Sequence, residues 1–98
     1  MKTDEQILNV KDKLRTQAQS ILLRMEDAKN RILAQTETVK LAERGYELAV
    51  TSFKSGVLNQ IDVLDAELML TQTRLARLQA IFDYLTAKAA LEGLLEIK

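Results

Sequence analysis

Cysteine, histidine, proline and tryptophan are all missing from this 98-residue chain, glycine occurs three times, and phenylalanine and tyrosine twice each. Without cysteine there is no disulfide and no thiol nucleophile. Without cysteine or histidine the usual zinc ligand sets are gone, as is the side chain most used for proton transfer near neutral pH. No enzyme activity, metal or other cofactor is therefore expected. The lack of proline removes the strongest helix breaker, and the few aromatics leave packing to Leu, Ile, Val and Ala. Neither sign of charge is in excess, because fourteen basic residues offset fourteen acidic ones. Nothing in the charge balance draws the chain to nucleic acid or to an anionic membrane. No apolar run approaches the length of about eighteen residues that a membrane helix needs, and the start MKTDEQILNVKDK has no apolar stretch or small-residue cleavage site of a signal peptide. This segment reads as neither spanning a membrane by helix nor directing its own export.

What is present is helical periodicity over nearly the whole length. A content of 47% hydrophobic and 29% charged residues is that of a structured chain with one domain at most. From Leu14 to Phe53 the series Leu14, Ala18, Ile21, Met25, Ala28, Ile32, Gln35, Val39, Ala42, Tyr46, Ala49, Phe53 keeps a 4-3 spacing unbroken, which is a coiled-coil seam. Its small members alternate with large ones, as suits a seam whose bulky side chains enter gaps opposite. Gln35 is its polar intruder, of the kind that fixes register rather than performs chemistry. Beyond residue 60, Ile61, Leu64, Leu68, Thr71, Leu75, Leu78, Phe82, Leu85 and Ala89 repeat the 3-4 spacing. The fold class expected is therefore all-α: a long antiparallel two-helix coiled-coil hairpin, with helices over about 3–54 and 61–96 and a tip at 55–60. Thr3 with Gln6 fits a capping box at the first helix start. At 1.5 Å per residue the arms run about 75 Å and 55 Å, so the first overhangs the second at its N-terminal end.

Both arms carry a second stripe. In the second it is Ala66, Leu70, Thr73, Arg77, Ala80, Tyr84, Ala87, Leu91, Leu94, and in the first a shorter one runs Ala34, Thr38, Leu41, Gly45, Leu48, Ser52. A helix in a simple hairpin needs one seam, and two seams imply two neighbours, as in a wall or barrel. Self-association through the second seam is expected.

Between the arms stands FKSGVLNQIDVLDAE, residues 53–67. Gly56 suits the left-handed position after a helix end. Asn59 suits the N-cap of the returning helix, with Asp62 three residues on and Asp65 a turn further, where carboxylates complement the helix dipole. Val57 and Leu58, an adjacent apolar pair, occupy an apex that a mere connector would make polar.

These residues resemble the outer membrane efflux proteins, the TolC-like channels. Their second helical hairpin reads Tyr-x-x-Gly, a short apex, then Asp-Val-Leu-Asp-Ala. FKSGVLNQIDVLDAE and the later FDYLTAKAALEGLL are similar to it, after the alanine-containing approach AQTETVKLAERGYELAVTSF. The likeness covers roughly residues 14–97. It implies one hairpin of a trimeric, twelve-helix periplasmic tunnel of an outer membrane protein in a Gram-negative bacterium. It also implies a tip at Gly56, Val57, Leu58 and Asn59 that docks a periplasmic adaptor, or membrane fusion protein, and an acidic ring at the channel mouth from Asp62 and Asp65. Some members latch that mouth with a tyrosine at the place of Phe53 and an arginine at that of Leu58, and neither polar group stands here. The alternative is an antiparallel coiled-coil scaffold in the cytoplasm whose tip only turns the chain.

Overall fold

The computed structural model describes residues 2–96, with side chains from residue 5 onward. Helix α1 spans Lys2–Lys54 and helix α2 spans Gln60–Glu96, joined by a five-residue turn. The chain is thus the antiparallel helical hairpin its periodicity predicts. The capping box expected of Thr3 and Gln6 depends on a side chain outside the described residues. The molecule is 81 Å long and 16 × 15 Å across, the length of α1 at 1.5 Å per residue. No described helix is long and apolar enough to cross a membrane.

The α1 seam packs as its spacing requires. Leu14, Ala18, Ile21, Met25, Ile32, Gln35, Ala42 and Tyr46 are half-buried, and Ala28, Val39 and Ala49 are buried. Phe53, the last residue of that series, is 45% exposed, in the final turn of α1 beside the hairpin tip. At the other end Ile7, Leu8 and Val10 are also open. There α1 runs past the end of α2 by the expected overhang.

On α2 the structure reverses the order of the two stripes. The residues facing α1 are Ala66, Leu70, Thr73, Ala80, Tyr84, Ala87, Leu91 and Leu94, with Leu70, Ala80 and Ala87 buried. The stripe of larger residues, Ile61 through Leu85, is turned away: Leu64 is 54% exposed and Phe82 64%. The two stripes are offset by two residues, about 200° at 3.6 residues per turn, so they lie on nearly opposite faces rather than neighbouring ones. Self-association through the Ala66 series is thereby corrected, since α1 already covers it. Volume explains the choice. The α1 seam brings Met25, Ile32, Val39 and Tyr46, and small α2 residues leave room for them at close helix spacing.

Register is held by polar contacts beside the seam. Arg31 donates from Nη1 to Asp83 Oδ2 at 2.9 Å and from Nε to Asp27 Oδ2 at 3.2 Å. Arg77 Nε donates to Thr36 Oγ1 at 3.1 Å, and Arg74 pairs with Glu43 at 3.6 Å. Gln35 takes part in none of these, so the register role expected of it falls to flanking residues. Asp83 chiefly, helped by Asp27 and opposed by desolvation, holds the Arg31 guanidinium above the ordinary arginine range. A raised arginine pKa contributes stability at all lower pH and loses it only as pH rises through the folded value. The arginine therefore stays charged across the neutral range. These pairs are all substantially exposed, and pairs of that kind orient helices more than they stabilise them.

The buried alanines test the packing. Ala80, 1% exposed, has no room for a longer side chain, so Ala80→Leu should cost about 1–3 kcal/mol by overpacking. Thermal unfolding followed by circular dichroism reads that loss, and an unchanged midpoint would contradict the close alanine contact.

Candidate functional site: the hairpin tip and the open face of α2

The tip is built by two interlocking caps. Gly56 has φ = +81°, a region that costs any residue with a Cβ and costs glycine nothing. Its N–H donates to the Phe53 carbonyl at 3.0 Å, and the Val57 N–H donates to the Ser52 carbonyl at 2.9 Å. That pairing is a Schellman motif, with Gly56 at C′ as the sequence predicts. The Leu58 N–H reaches the same Ser52 oxygen at 3.3 Å, while Ser55 donates to the Thr51 carbonyl from both N–H (3.1 Å) and Oγ (3.0 Å). The Thr51, Ser52 and Phe53 carbonyls near the end of α1 are thereby given donors.

Asn59 and Asp62 form the reciprocal cap of α2. The Asp62 N–H donates to Asn59 Oδ1 at 3.0 Å, and the Asn59 N–H donates to Asp62 Oδ2 at 3.3 Å. This is a capping box with Asn and Asp in the roles of Ser and Glu. Asp62 thus has a structural task in the hairpin itself, and its charge also complements the positive end of α2. Asp65, one turn on, is exposed with no such bond. Among the described residues no three acidic side chains converge in a way that could hold a metal ion.

The apolar pair at the apex separates into two kinds of residue. Leu58 stands one position before the N-cap and Val63 four positions after it, and both are half-buried. Those are the two positions of a hydrophobic staple, which fixes the angle at which the chain enters a helix. Val57 is 76% exposed, the most open of the large apolar residues. Its backbone N–H is engaged with the Ser52 carbonyl, while its side chain is largely in solvent. Of the four tip residues predicted from sequence, Gly56 and Asn59 shape the turn, Leu58 braces it, and Val57 is presented to solvent.

The second surface of note is the outer face of α2. Ile61, Leu64, Leu68, Leu75, Leu78, Phe82 and Leu85, each more than half exposed, form a straight apolar stripe on the side away from α1. On α1, Leu41 and Leu48 of the shorter series are about two-thirds exposed. Periodicity alone finds these positions; which of them face out depends on the rotation of α2 about its axis.

The turn should report its caps independently. A Cβ at Gly56 would meet nothing within 4 Å, so Gly56→Ala carries only the backbone cost, about 1 kcal/mol. Asn59→Ala should cost about 1 kcal/mol through loss of the N-cap. Both are read as reduced thermal stability with helical content retained, and a neutral Gly56→Ala would contradict the positive φ. No protein-family model matches the chain, and neither a curated protein nor a solved structure does.

Proposed function

We propose that this chain forms part of the periplasmic α-helical tunnel of an outer membrane efflux or type I secretion channel, with its tip docking a periplasmic adaptor protein. The observation that carries the proposal is the pair of opposed apolar faces on α2. One is packed on α1 and the other, from Ile61 to Leu85, is open. A free hairpin has no use for the second face, whereas a helix in a tunnel wall has a neighbour on each side. The resemblance of residues 53–67 to the second hairpin of the TolC-like channels points the same way.

In such a trimer the first turn of α2 comes round three times at the narrow end, and Asp62 and Asp65 form rings of negative charge there. Asp62 serves at once as capping partner of Asn59 and as a mouth residue. The mouth closes here without a tyrosine and arginine latch. Phe53, open beside the tip, supplies an apolar contact in its place. The channel makes and breaks no covalent bond: it conducts, and a pump in the inner membrane provides the energy. Val57 is the apex residue free to enter a partner's groove, since Leu58 is engaged in bracing the turn.

The test is made in the intact channel that carries this hairpin. Val57→Asp places a charge where an apolar contact would be desolvated, which weakens adaptor binding by about tenfold or more and lowers export accordingly. The hairpin stays helical in that variant, because Val57 lies in the turn between the helices and is 76% exposed. A cysteine at position 57, the only one within these 98 residues, should cross-link to the adaptor in whole cells. Unimpaired export with no cross-link would overturn the docking role and leave the coiled-coil scaffold as the better reading.

A further inference from the structure

We infer that the outer stripe of α2 is a self-complementary surface, which pairs antiparallel with the same stripe of a second copy of this chain about a two-fold axis near residues 76 and 77. The inference stands on the charge pattern and exposure of α2 and does not depend on the tunnel reading.

The stripe keeps strict heptad spacing, with Ile61, Leu68, Leu75, Phe82 and Ala89 at one core position and Leu64, Thr71, Leu78 and Leu85 at the other. Two such stripes laid antiparallel can slide by heptads, and each register sets different residues face to face. With the axis near residues 76 and 77, Leu75 meets the partner's Leu78 and Leu68 the partner's Leu85. Phe82 falls opposite the partner's smaller Thr71, and Leu64 opposite the partner's Ala89. Ile61, at the edge of the overlap, falls opposite the partner's Glu92, whose aliphatic stem lies along it. In the inner layers no large residue meets another large one except in the Leu–Leu pairs, so volume is matched there.

Flanking charge selects among the registers. On one side of the stripe stand Glu67, Arg74, Ile81 and Lys88, all exposed but the half-buried Ile81. In the register above, Glu67 faces the partner's Lys88, and by symmetry Lys88 faces the partner's Glu67. Arg74 lies along the partner's Ile81. On the other side Gln72 meets the partner's Gln79 and Asp65 the partner's Thr86, both able to hydrogen-bond. Sliding one heptad toward the tip sets Arg74 against the partner's Arg74. Sliding one heptad the other way sets Arg74 against the partner's Lys88. A parallel pair offers Glu67 and Arg74 only glutamines. One register therefore pairs opposite charges, and it also overlaps α2 with its copy over nearly the full Gln60–Glu96 span.

The size is adequate too. Seven large side chains on each copy, giving up roughly 100 Å² each, remove about 1,400 Å² from water, within the ~1,200–2,000 Å² of a standard specific interface. Because α1 covers the opposite face of α2, it does not obstruct the approach, and the product is a flat four-helix array with the two α2 helices at its centre.

Sedimentation equilibrium on the whole chain decides the matter. The unaltered chain should be a dimer at micromolar concentration, and Leu75→Asp with Leu78→Asp should be a monomer of unchanged helical content. Glu67→Lys and Lys88→Glu each replace two attractions by two repulsions per dimer, and each should weaken dimerisation by about tenfold. Carried together they restore opposite charges in the same register, and the dimer should return to about twofold of its original strength. A monomeric unaltered chain would overturn the inference, as would a trimer, single variants without effect, or a double variant that fails to recover.

Discussion

The hairpin depends on one reversal of chain direction, the five residues between Lys54 and Gln60. Gly56 in the left-handed region closes α1 with the Schellman bonds to Ser52 and Phe53, and Asn59 opens α2 with its reciprocal cap to Asp62. Because both caps are specified, the turn has little rotational freedom. It fixes how far α2 is turned about its own axis and so which α2 face meets α1.

That rotation explains the least obvious feature of the fold, the burial of the smaller stripe and exposure of the larger. Burying Leu64, Leu68, Leu75 and Phe82 would remove more apolar surface from water. Against the bulky Met25, Ile32 and Tyr46 of α1 it would also force the helices apart and lose close contact along their length. With Ala80 and Ala87 facing inward the helices approach closely, and the exposed Arg31–Asp83 and Arg74–Glu43 pairs reach across at the right level. The larger stripe is left exposed. A neighbour in a tunnel wall and a second copy of the chain are two ways of covering it, and both use the same side chains.

Much of the fold was legible because 3.6-residue periodicity and capping chemistry are local. The α1 seam from Leu14 to Ala49, the role of Gly56 and the Asn59–Asp62 cap follow from residues a few positions apart, and the structure has them where spacing puts them. Phe53 keeps the seam's spacing, yet it is 45% exposed, because periodicity along one helix does not say how its last turn packs at the tip. Gln35 is the polar residue in the seam that spacing singles out for register, whereas Thr36, Arg31 and Arg74 act from the flanks through partners roughly thirty to fifty residues away in sequence. At the tip the sequence marks Val57 and Leu58 alike; only the staple positions, with Leu58 and Val63 half-buried and Val57 open, divide them.

By itself, then, the sequence determined that this chain is two long helices around a glycine turn, with neither the thiols nor the imidazoles of ordinary catalysis, and with two apolar stripes on the second helix. Those properties depend on residue type and on spacing within one helix. Which stripe faces α1 was decided only by the tertiary structure. That choice depends on side-chain volume matched between residues far apart in the chain and on the rotation set by the turn, and neither can be read along a single helix.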